Sequence, residues 1–251
     1  MRLRSSRFSR RIRRSRRLIA PPVVQKIDDV WVVRDDLISG GTKRCFADRL
    51  IKDHQEVVYA SPVYGGAQIA IAHAAAANGV RSTIFCAKRN QLHPRTLEAY
   101  RAGAKIVQVP YGYLSNVKAK AKSYCQKTGA HLLPFGLECN VAISAIADRA
   151  TQAQSQIPDQ ITQVWCVAGS GVLCRGLQKG LKADSFHVVQ IGRKLKSADV
   201  KNAKVYVYPL DFSKDAKFSP PFPSCSNYDA KAWQFIKKAA KGNVLFWNVM
   251  R

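Results

Sequence analysis

Apolar and polar positions alternate along the chain in short blocks that predict strands and helices in turn. Runs rich in β-branched and aromatic residues, such as residues 29–35 (DVWVVRD) and 56–61 (EVVYAS), predict strands. Residues 43–54 (KRCFADRLIKDH) and 67–79 (AQIAIAHAAAANG) are typical of helices. The first hundred residues therefore predict a strand–helix–strand–helix alternation.

The same alternation continues through the rest of the sequence. Further strands are predicted at residues 81–87, 105–110, 131–135, 163–169, 186–192, 204–210 and 243–249. Further helices are predicted at residues 94–104, 114–129, 140–156, 172–182 and 229–240. Because helices link strands whose apolar runs are nearly continuous, the sequence predicts an α/β fold with a largely parallel sheet between two helical layers.

Composition narrows the class of protein. With 251 residues, 47% of them hydrophobic, the chain can bury one large core or two small ones. No apolar run approaches the roughly 18 residues of a membrane span. The seven cysteines and five histidines are scattered without metal-ligand spacing. We therefore expect reduced thiols, a cytoplasmic location, no membrane and no metal site.

The net charge of +25 has two sources. Residues 1–18 contain nine arginines and no acidic residue, and the remainder, with 32 basic and 16 acidic residues, carries +16. We expect residues 1–20 to form a basic disordered tail whose arginines, between residues 2 and 17, bind nucleic acid. An organelle-targeting peptide and a solubilising extension are the alternatives.

Two glycine-rich turns are candidates for chemistry. The strand QVWCVAG runs through Gly169-Ser170-Gly171 directly into a helix, which is an arrangement that binds phosphate, although a tight turn has the same sequence. Near the N-terminus, Lys43 follows Gly40-Gly41-Thr42, and the glycines suggest a turn that aims the lysine. The alternative is a helix capped by Thr42 with a solvated Lys43. A lysine and a phosphate site together suit pyridoxal 5′-phosphate (PLP).

At these residues the sequence resembles a known family. RDDLISGGTK and GSGVLCRGL are similar to motifs of the tryptophan-synthase-like (fold type II) PLP enzymes, especially the branch of 1-aminocyclopropane-1-carboxylate deaminase and D-cysteine desulfhydrase. The resemblance implies that Lys43 is the catalytic Schiff-base lysine. It also implies a phosphate loop formed by Gly169, Ser170, Gly171, Val172 and Leu173, in which the last two replace the family's Gly-Thr and remove a hydroxyl donor.

Two further segments complete the resemblance. NYDAKAW resembles the branch's C-terminal motif, which implies that Tyr228 handles protons and that Asp229 faces the pyridine nitrogen; an ordinary N-capped helix is the alternative. ASPVYGGAQIAIA departs from the family's asparagine motif. We expect Gly65, Gly66 and Gln68 to bind the substrate carboxylate and Tyr64 either to bond the ring oxygen of the cofactor or merely to pack.

The resemblance implies two domains, each with a largely parallel sheet. Residues 21–55 and 141–251 would form the larger, cofactor-binding domain and residues 56–140 the smaller, inserted one. The expected function is a PLP-dependent lyase or deaminase acting at Cα or Cβ of an amino-acid-like substrate. The resemblance also implies that the enzyme can form a homodimer. The alternatives are a PLP enzyme acting on an amino group attached to nucleic acid and a non-catalytic nucleic-acid-binding protein on a decayed enzyme scaffold.

Overall fold

The computed structural model describes residues 19–192 and 194–251. In chain order the strands of this part are β1 (Val24–Ile27), β2 (Val30–Arg34), β3 (Glu56–Ala60), β4 (Arg81–Ala87), β5 (Lys105–Val109), β6 (His131–Leu132), β7 (Ile161–Ala168), β8 (Ala183–Gln190), β9 (Lys204–Val207) and β10 (Val244–Asn248). The helices are α1 (Arg44–Ile51), α2 (Ala67–Asn78), α3 (Pro94–Arg101), α4 (Leu114–Thr128), α5 (Asn140–Gln154), α6 (Val172–Gly180), α7 (Ser197–Val200) and α8 (Ala230–Ala239).

The strands form two sheets. The larger sheet has the order β1-β2-β10-β7-β8-β9, and the smaller has the order β5-β4-β3-β6. Every strand pair in them is parallel except the hairpin β1–β2. The predicted α/β class with largely parallel sheets is confirmed.

Strand β7 shows how the larger sheet is covered on both faces. Alternate residues of a strand point to opposite faces. Val164 and Cys166 belong to the apolar cluster that includes residues of α5 and α6, whereas Trp165 and Val167 belong to a second cluster with residues of α8. The nearly continuous apolar run of this strand is therefore explained by burial on both faces.

The smaller sheet is covered in the same way. Val58 and Phe85 pack with Val117 and Ala121 of α4 on one face. On the other face, Tyr59 and other residues of β3 and β4 pack with α2 and α3 in the main core. The division of the chain into residues 21–55 plus 141–251 and an inserted 56–140 stays a prediction, although the smaller sheet lies entirely between residues 56 and 132.

The structure differs from the sequence prediction at two strands. The sequence pattern does not predict β1, which pairs with β2 through a turn in which Asp28 and Asp29 have positive φ angles of 48° and 61°. β6 has two residues instead of the predicted five; the N–H of Leu133 still donates to the carbonyl of Val58, and the chain then enters a 3₁₀ turn at Phe135–Leu137. The basic tail lies outside the described residues except for residues 19 and 20. Within the described residues, no helix has the length and apolarity to cross a bilayer.

Candidate active site

A narrow cleft lies where the carboxyl end of β7 meets the turn before α1. It is lined by Lys43, Tyr228 and the five residues of the predicted phosphate loop, Gly169, Ser170, Gly171, Val172 and Leu173, together with neighbours such as Phe46, Gly136 and Val249. The enclosed space is about 30 Å³. The structure thus brings the two glycine-rich turns of the sequence to one place.

The Gly-Gly turn is tightly packed on both sides. Gly40 and Gly41 have φ angles of 89° and 65°. A β-carbon on Gly40 would lie 2.5 Å from Cα of Ala70 in α2, and one on Gly41 would lie 2.2 Å from the carbonyl oxygen of Val249. The glycines therefore allow the lysine turn to pack between α2 and the segment after β10.

Asp35 fixes the residue before the lysine. Its buried carboxylate accepts a 2.6 Å hydrogen bond from Oγ1 of Thr42 and two from the buried guanidinium of Arg149. Trp247 Nε1 donates to both Asp35 and Thr42. The alternative in which Thr42 caps a helix and leaves Lys43 solvated is wrong, because the Thr42 hydroxyl points into this network and Lys43 lines the cleft.

Lys43 is half-buried, and its surroundings lower the pKa of its amine. Burial is the main cause that lowers the pKa of Lys43, and the nearby charge of Arg95 lowers it further. The charge of Asp229 acts in the opposite direction. A lowered pKa increases the fraction of unprotonated amine, which is the form that a nucleophile or proton acceptor needs.

The turn after β7 is also held by close packing. Gly171 has φ 80°, and a β-carbon there would lie 2.2 Å from the carbonyl oxygen of Asp199. Gly171 precedes the nine-residue helix α6, whose first N–H groups therefore face the cleft region. A β-carbon on Gly136 would lie 3.4 Å from Oγ of Ser170, so the segment after β6 closes the other side of the turn.

Tyr228 and Asp229 lie at the start of α8. The hydroxyl of Tyr228 donates to the carbonyl of Val167 at 3.4 Å, and burial raises the pKa of this phenol far above its usual value. Asp229 is fully buried and is not part of the cleft lining. Its Oδ2 accepts from the N–H of Met250, whereas its Oδ1 has no hydrogen-bond partner among the described residues.

The protonation of Asp229 is finely balanced. Burial raises the pKa of Asp229 to about 7, against the lowering effects of the backbone of Met250 and Val249 and of the charge of Lys43. A buried carboxylate with one free oxygen and a pKa near neutrality can accept or share a proton at little cost.

The segment predicted to bind substrate is placed beside the cleft and not in its lining. The ring of Tyr64 packs edge-on against His93 and Phe212. Gly66 packs against Met250, whose Sδ would lie 2.4 Å from a β-carbon there. Gln68 is buried and donates to the carbonyl of Gly65. The predicted substrate contacts of Gly65, Gly66 and Gln68 stay predictions.

Arg95 is a site residue that the sequence did not single out. It lies in the first turn of α3, and its guanidinium donates to the carbonyl of Tyr64, to Sγ of Cys225 and to Oδ1 of Asn227. It therefore ties the segment after β3 to the segment before α8. No local pattern distinguishes this arginine from the other 40 basic residues, and only its long-range partners reveal it.

Among the described residues, no group of His, Cys, Asp and Glu could hold a metal ion. The cleft lining offers instead one amine and a glycine turn at a helix N-terminus, and the buried carboxylate of Asp229 lies next to the lining residue Tyr228 in the chain.

Comparisons with known proteins agree with this chemistry. No family model matches the chain. A glycyl-dTMP PLP-dependent decarboxylase of Pseudomonas phage M6 is 25% identical over an alignment of 189 residues that covers 63% of this chain. The chain spans about 65% of the length of that relative.

Solved structures share the fold at low sequence identity. A homologue of ACC deaminase superimposes with a TM-score of 0.76 at 14% identity, over 93% of this chain and 90% of its own. The threonine deaminase of T.th. gives 0.71 at 13% identity, over 90% of each chain. Escherichia coli diaminopropionate ammonia lyase gives 0.68 at 14% identity, over 92% of this chain and 83% of its own. These neighbours are fold type II PLP enzymes, so the resemblance in fold is confirmed.

Proposed function

We propose that this chain, which has the architecture of the fold type II PLP enzymes, is a PLP-dependent lyase acting at Cα of an amino-acid-like substrate. The observation that carries the proposal is the pairing, in one narrow cleft, of Lys43 with the glycine turn before α6. Lys43 would bond the cofactor aldehyde, and the N–H groups around Gly169, Ser170 and Gly171 would hold its phosphate.

The residues present fit this cofactor at three points. The amine of Lys43 has a lowered pKa, the glycine turn offers backbone donors, and Oδ1 of Asp229 is buried without a hydrogen-bond partner in the described chain. A pyridine N–H is a partner that would satisfy this oxygen. Val172 and Leu173 supply backbone groups only, so the phosphate would lack a side-chain hydroxyl from these two positions.

When bound, PLP supplies an electron sink for the bonds at the substrate Cα. Asp229 would maintain that capacity by keeping the ring nitrogen protonated, since a buried carboxylate prefers to share a proton rather than stand alone. Lys43, once free of the cofactor, would remove or return a proton at Cα, for which its lowered pKa is suited. The raised pKa of Tyr228 keeps its phenol protonated, so Tyr228 would donate a hydrogen bond rather than act as a base.

Borohydride reduction of the PLP-saturated protein tests this assignment. Peptide mass mapping should find the pyridoxyl group on Lys43 and not on Lys231, a lysine that is also buried but bonds to the carbonyl of Asp211. The Lys43→Ala variant should lose the visible absorbance of the bound cofactor. An adduct on another lysine contradicts the assignment, and a protein that binds no PLP favours the non-catalytic alternative.

A second, more specific candidate is an enzyme that acts on an amino acid attached to a nucleotide with its carboxylate free. It is supported by the glycyl-dTMP decarboxylase relative and by the net charge of +25, because phosphate-bearing substrates are attracted to a strongly basic protein. Decarboxylation is itself a lyase reaction at Cα. Mass spectrometry of glycyl-thymidylate, free and within an oligonucleotide, should detect loss of CO₂, whereas free amino acids should react more slowly. Faster reaction of free amino acids contradicts this candidate.

A further inference from the structure

A group of exposed aromatic and basic side chains lies at the carboxyl edge of the smaller sheet. Lys88 and Arg89 follow β4, Tyr111 and Tyr113 follow β5, and α4 contributes Lys118. Phe135 follows β6 and lies at the same edge. We call these six residues the aromatic–basic surface. Because all strands of this sheet are parallel, the segments after them meet at one edge.

The two tyrosines are held outward by the backbone. Tyr111 and Tyr113 are 88% and 78% exposed, unusual values for large aromatic residues. Tyr111 has a left-handed backbone with φ 53°, stabilised by a 2.9 Å hydrogen bond from the side chain of Asn116 to its carbonyl. A strained, exposed and side-chain-supported aromatic residue is typical of a binding surface.

The tyrosine turn packs directly beside the basic pair. A β-carbon on Gly112 would lie 2.2 Å from Cβ of Ala87, so only glycine permits this approach. Ala87, Lys88 and Arg89 share with residues 111–113 an open depression of about 450 Å³. Two aromatic rings and two cations therefore surround one shallow recess.

The surface is basic and continues to the cleft. Of its six residues, Lys88, Arg89 and Lys118 are basic and none is acidic. The ammonium of Lys118 lies 4.1 Å from the ring centre of Phe135. Phe135 immediately precedes Gly136, which lines the cleft. The aromatic–basic surface thus reaches from the recess to the mouth of the candidate active site.

We infer that the aromatic–basic surface binds single-stranded DNA, with bases stacked on Tyr111 and Tyr113 and phosphates paired with Lys88, Arg89 and Lys118. Exposed rings beside cations are the features that hold unpaired nucleotides. A duplex keeps its bases stacked internally and offers the rings no partner. The inference rests on the proposed function in its nucleotide-linked form: the strand is held here so that an amino acid attached to one of its bases, with its carboxylate free, enters the cleft.

Fluorescence anisotropy of a labelled oligothymidylate with the full-length protein tests the inference. Each lost ring weakens single-strand binding by at least about 5-fold, so Tyr111→Ala/Tyr113→Ala should raise the Kd by about 25-fold or more. Tyr111→Phe/Tyr113→Phe keeps the rings and should bind nearly as wild type. The matched control is Tyr100→Ala, which alters a tyrosine that is 58% exposed at the far end of α3.

The salt dependence separates charge from stacking. Lys88→Gln/Arg89→Gln should make the slope of log K against log salt shallower by about 1.4, since each single-strand phosphate contact contributes about 0.7. The tyrosine double variant should keep the wild-type slope, because it removes no charge.

Failure of this inference and failure of the proposed function are distinguishable. Lys43→Ala should bind the oligonucleotide as wild type does, because Lys43 is not part of the aromatic–basic surface. Equal affinities of wild type and the tyrosine double variant overturn the inference even if the pyridoxyl adduct maps to Lys43. Tyrosine-dependent binding by a protein that takes up no PLP supports the surface while the proposed enzyme fails.

Discussion

The buried carboxylate of Asp35 supports the lysine turn, and Asp35→Asn removes its charge. Asp35 has no exposed surface, and its principal partner, Arg149, is only 6% exposed. Arg149 donates to Asp35 at 2.9 and 2.7 Å, so the variant leaves a buried cation without its counterion. Breaking a buried ion pair from one side costs about 3–5 kcal/mol.

The same substitution also disturbs the lysine turn. The amide of an asparagine presents N–H groups to Oγ1 of Thr42 and Nε1 of Trp247, both of which donate to Asp35 in the wild type. We therefore expect Asp35→Asn to lower the free energy of unfolding by about 3–5 kcal/mol and to weaken PLP binding through Lys43.

Urea unfolding followed by circular dichroism measures this loss. Asp148→Asn is the matched control, because Asp148 pairs with Arg49 at 3.8 Å and both side chains are more than half exposed. Such a pair contributes less than about 1 kcal/mol. Combining Asp35→Asn with Arg149→Met should cost less than the two single losses added together. A single loss below about 1 kcal/mol, or strict additivity in the double variant, refutes the reasoning.

Four further predictions follow from the site and the sequence. Asp229→Asn should keep PLP bound but slow turnover at least about 100-fold, a loss typical for a group that acts on a proton; wild-type turnover would contradict the role of Asp229. Burial raises the pKa of Asp229 to about 7, so between pH 4 and pH 7 this carboxyl ionises in the unfolded chain but stays largely protonated in the folded one. Wild-type apoprotein should therefore lose stability as the pH rises through this range, and urea titrations of the Asp229→Asn variant should show a smaller loss. Gly171→Ala should lower the melting temperature far more than Gly129→Ala. Both glycines have positive φ, but a β-carbon would meet a backbone oxygen at Gly171 and no atom at Gly129; equal melting temperatures would argue against a packed turn. Deleting residues 1–18 should make the salt slope for duplex DNA shallower by roughly 5–8 and leave the cofactor spectrum unchanged; an unchanged slope would place duplex binding elsewhere.

The sequence predicted the fold well where local pattern and burial agree. The double-sided burial of β7 produced a continuous apolar run, and the glycines at 40, 41 and 171 are required by positive φ angles or close approach. These are local signals that a single sequence retains. The two glycine turns could therefore be predicted to form one site, although the resemblance to known enzymes supplied their roles.

The features of the site that the sequence did not predict depend on contacts between residues far apart in the chain. Asp35 and Arg149 are 114 residues apart, and Arg95 reaches Cys225 and Asn227 across 130 and 132 residues. A charged residue with a distant buried partner has the same local sequence context as a solvated one. For this reason neither the ion pair beneath the lysine turn nor the position of Arg95 could be predicted from the sequence.

Val249 and Met250 give the site a particular order of assembly during synthesis. The carbonyl of Val249 accepts from the N–H of Thr42, and the N–H of Met250 donates to Asp229. A ribosome makes the lysine turn about 200 residues before these supports, at roughly 5–20 residues per second. At least about ten seconds therefore pass between synthesis of the lysine turn and synthesis of these supporting residues. During that time the amine of Lys43 lacks the surroundings that it has in the folded site. Cofactor capture should follow release of residues 244–250 from the exit tunnel, so chains stalled before that point should emerge without bound PLP.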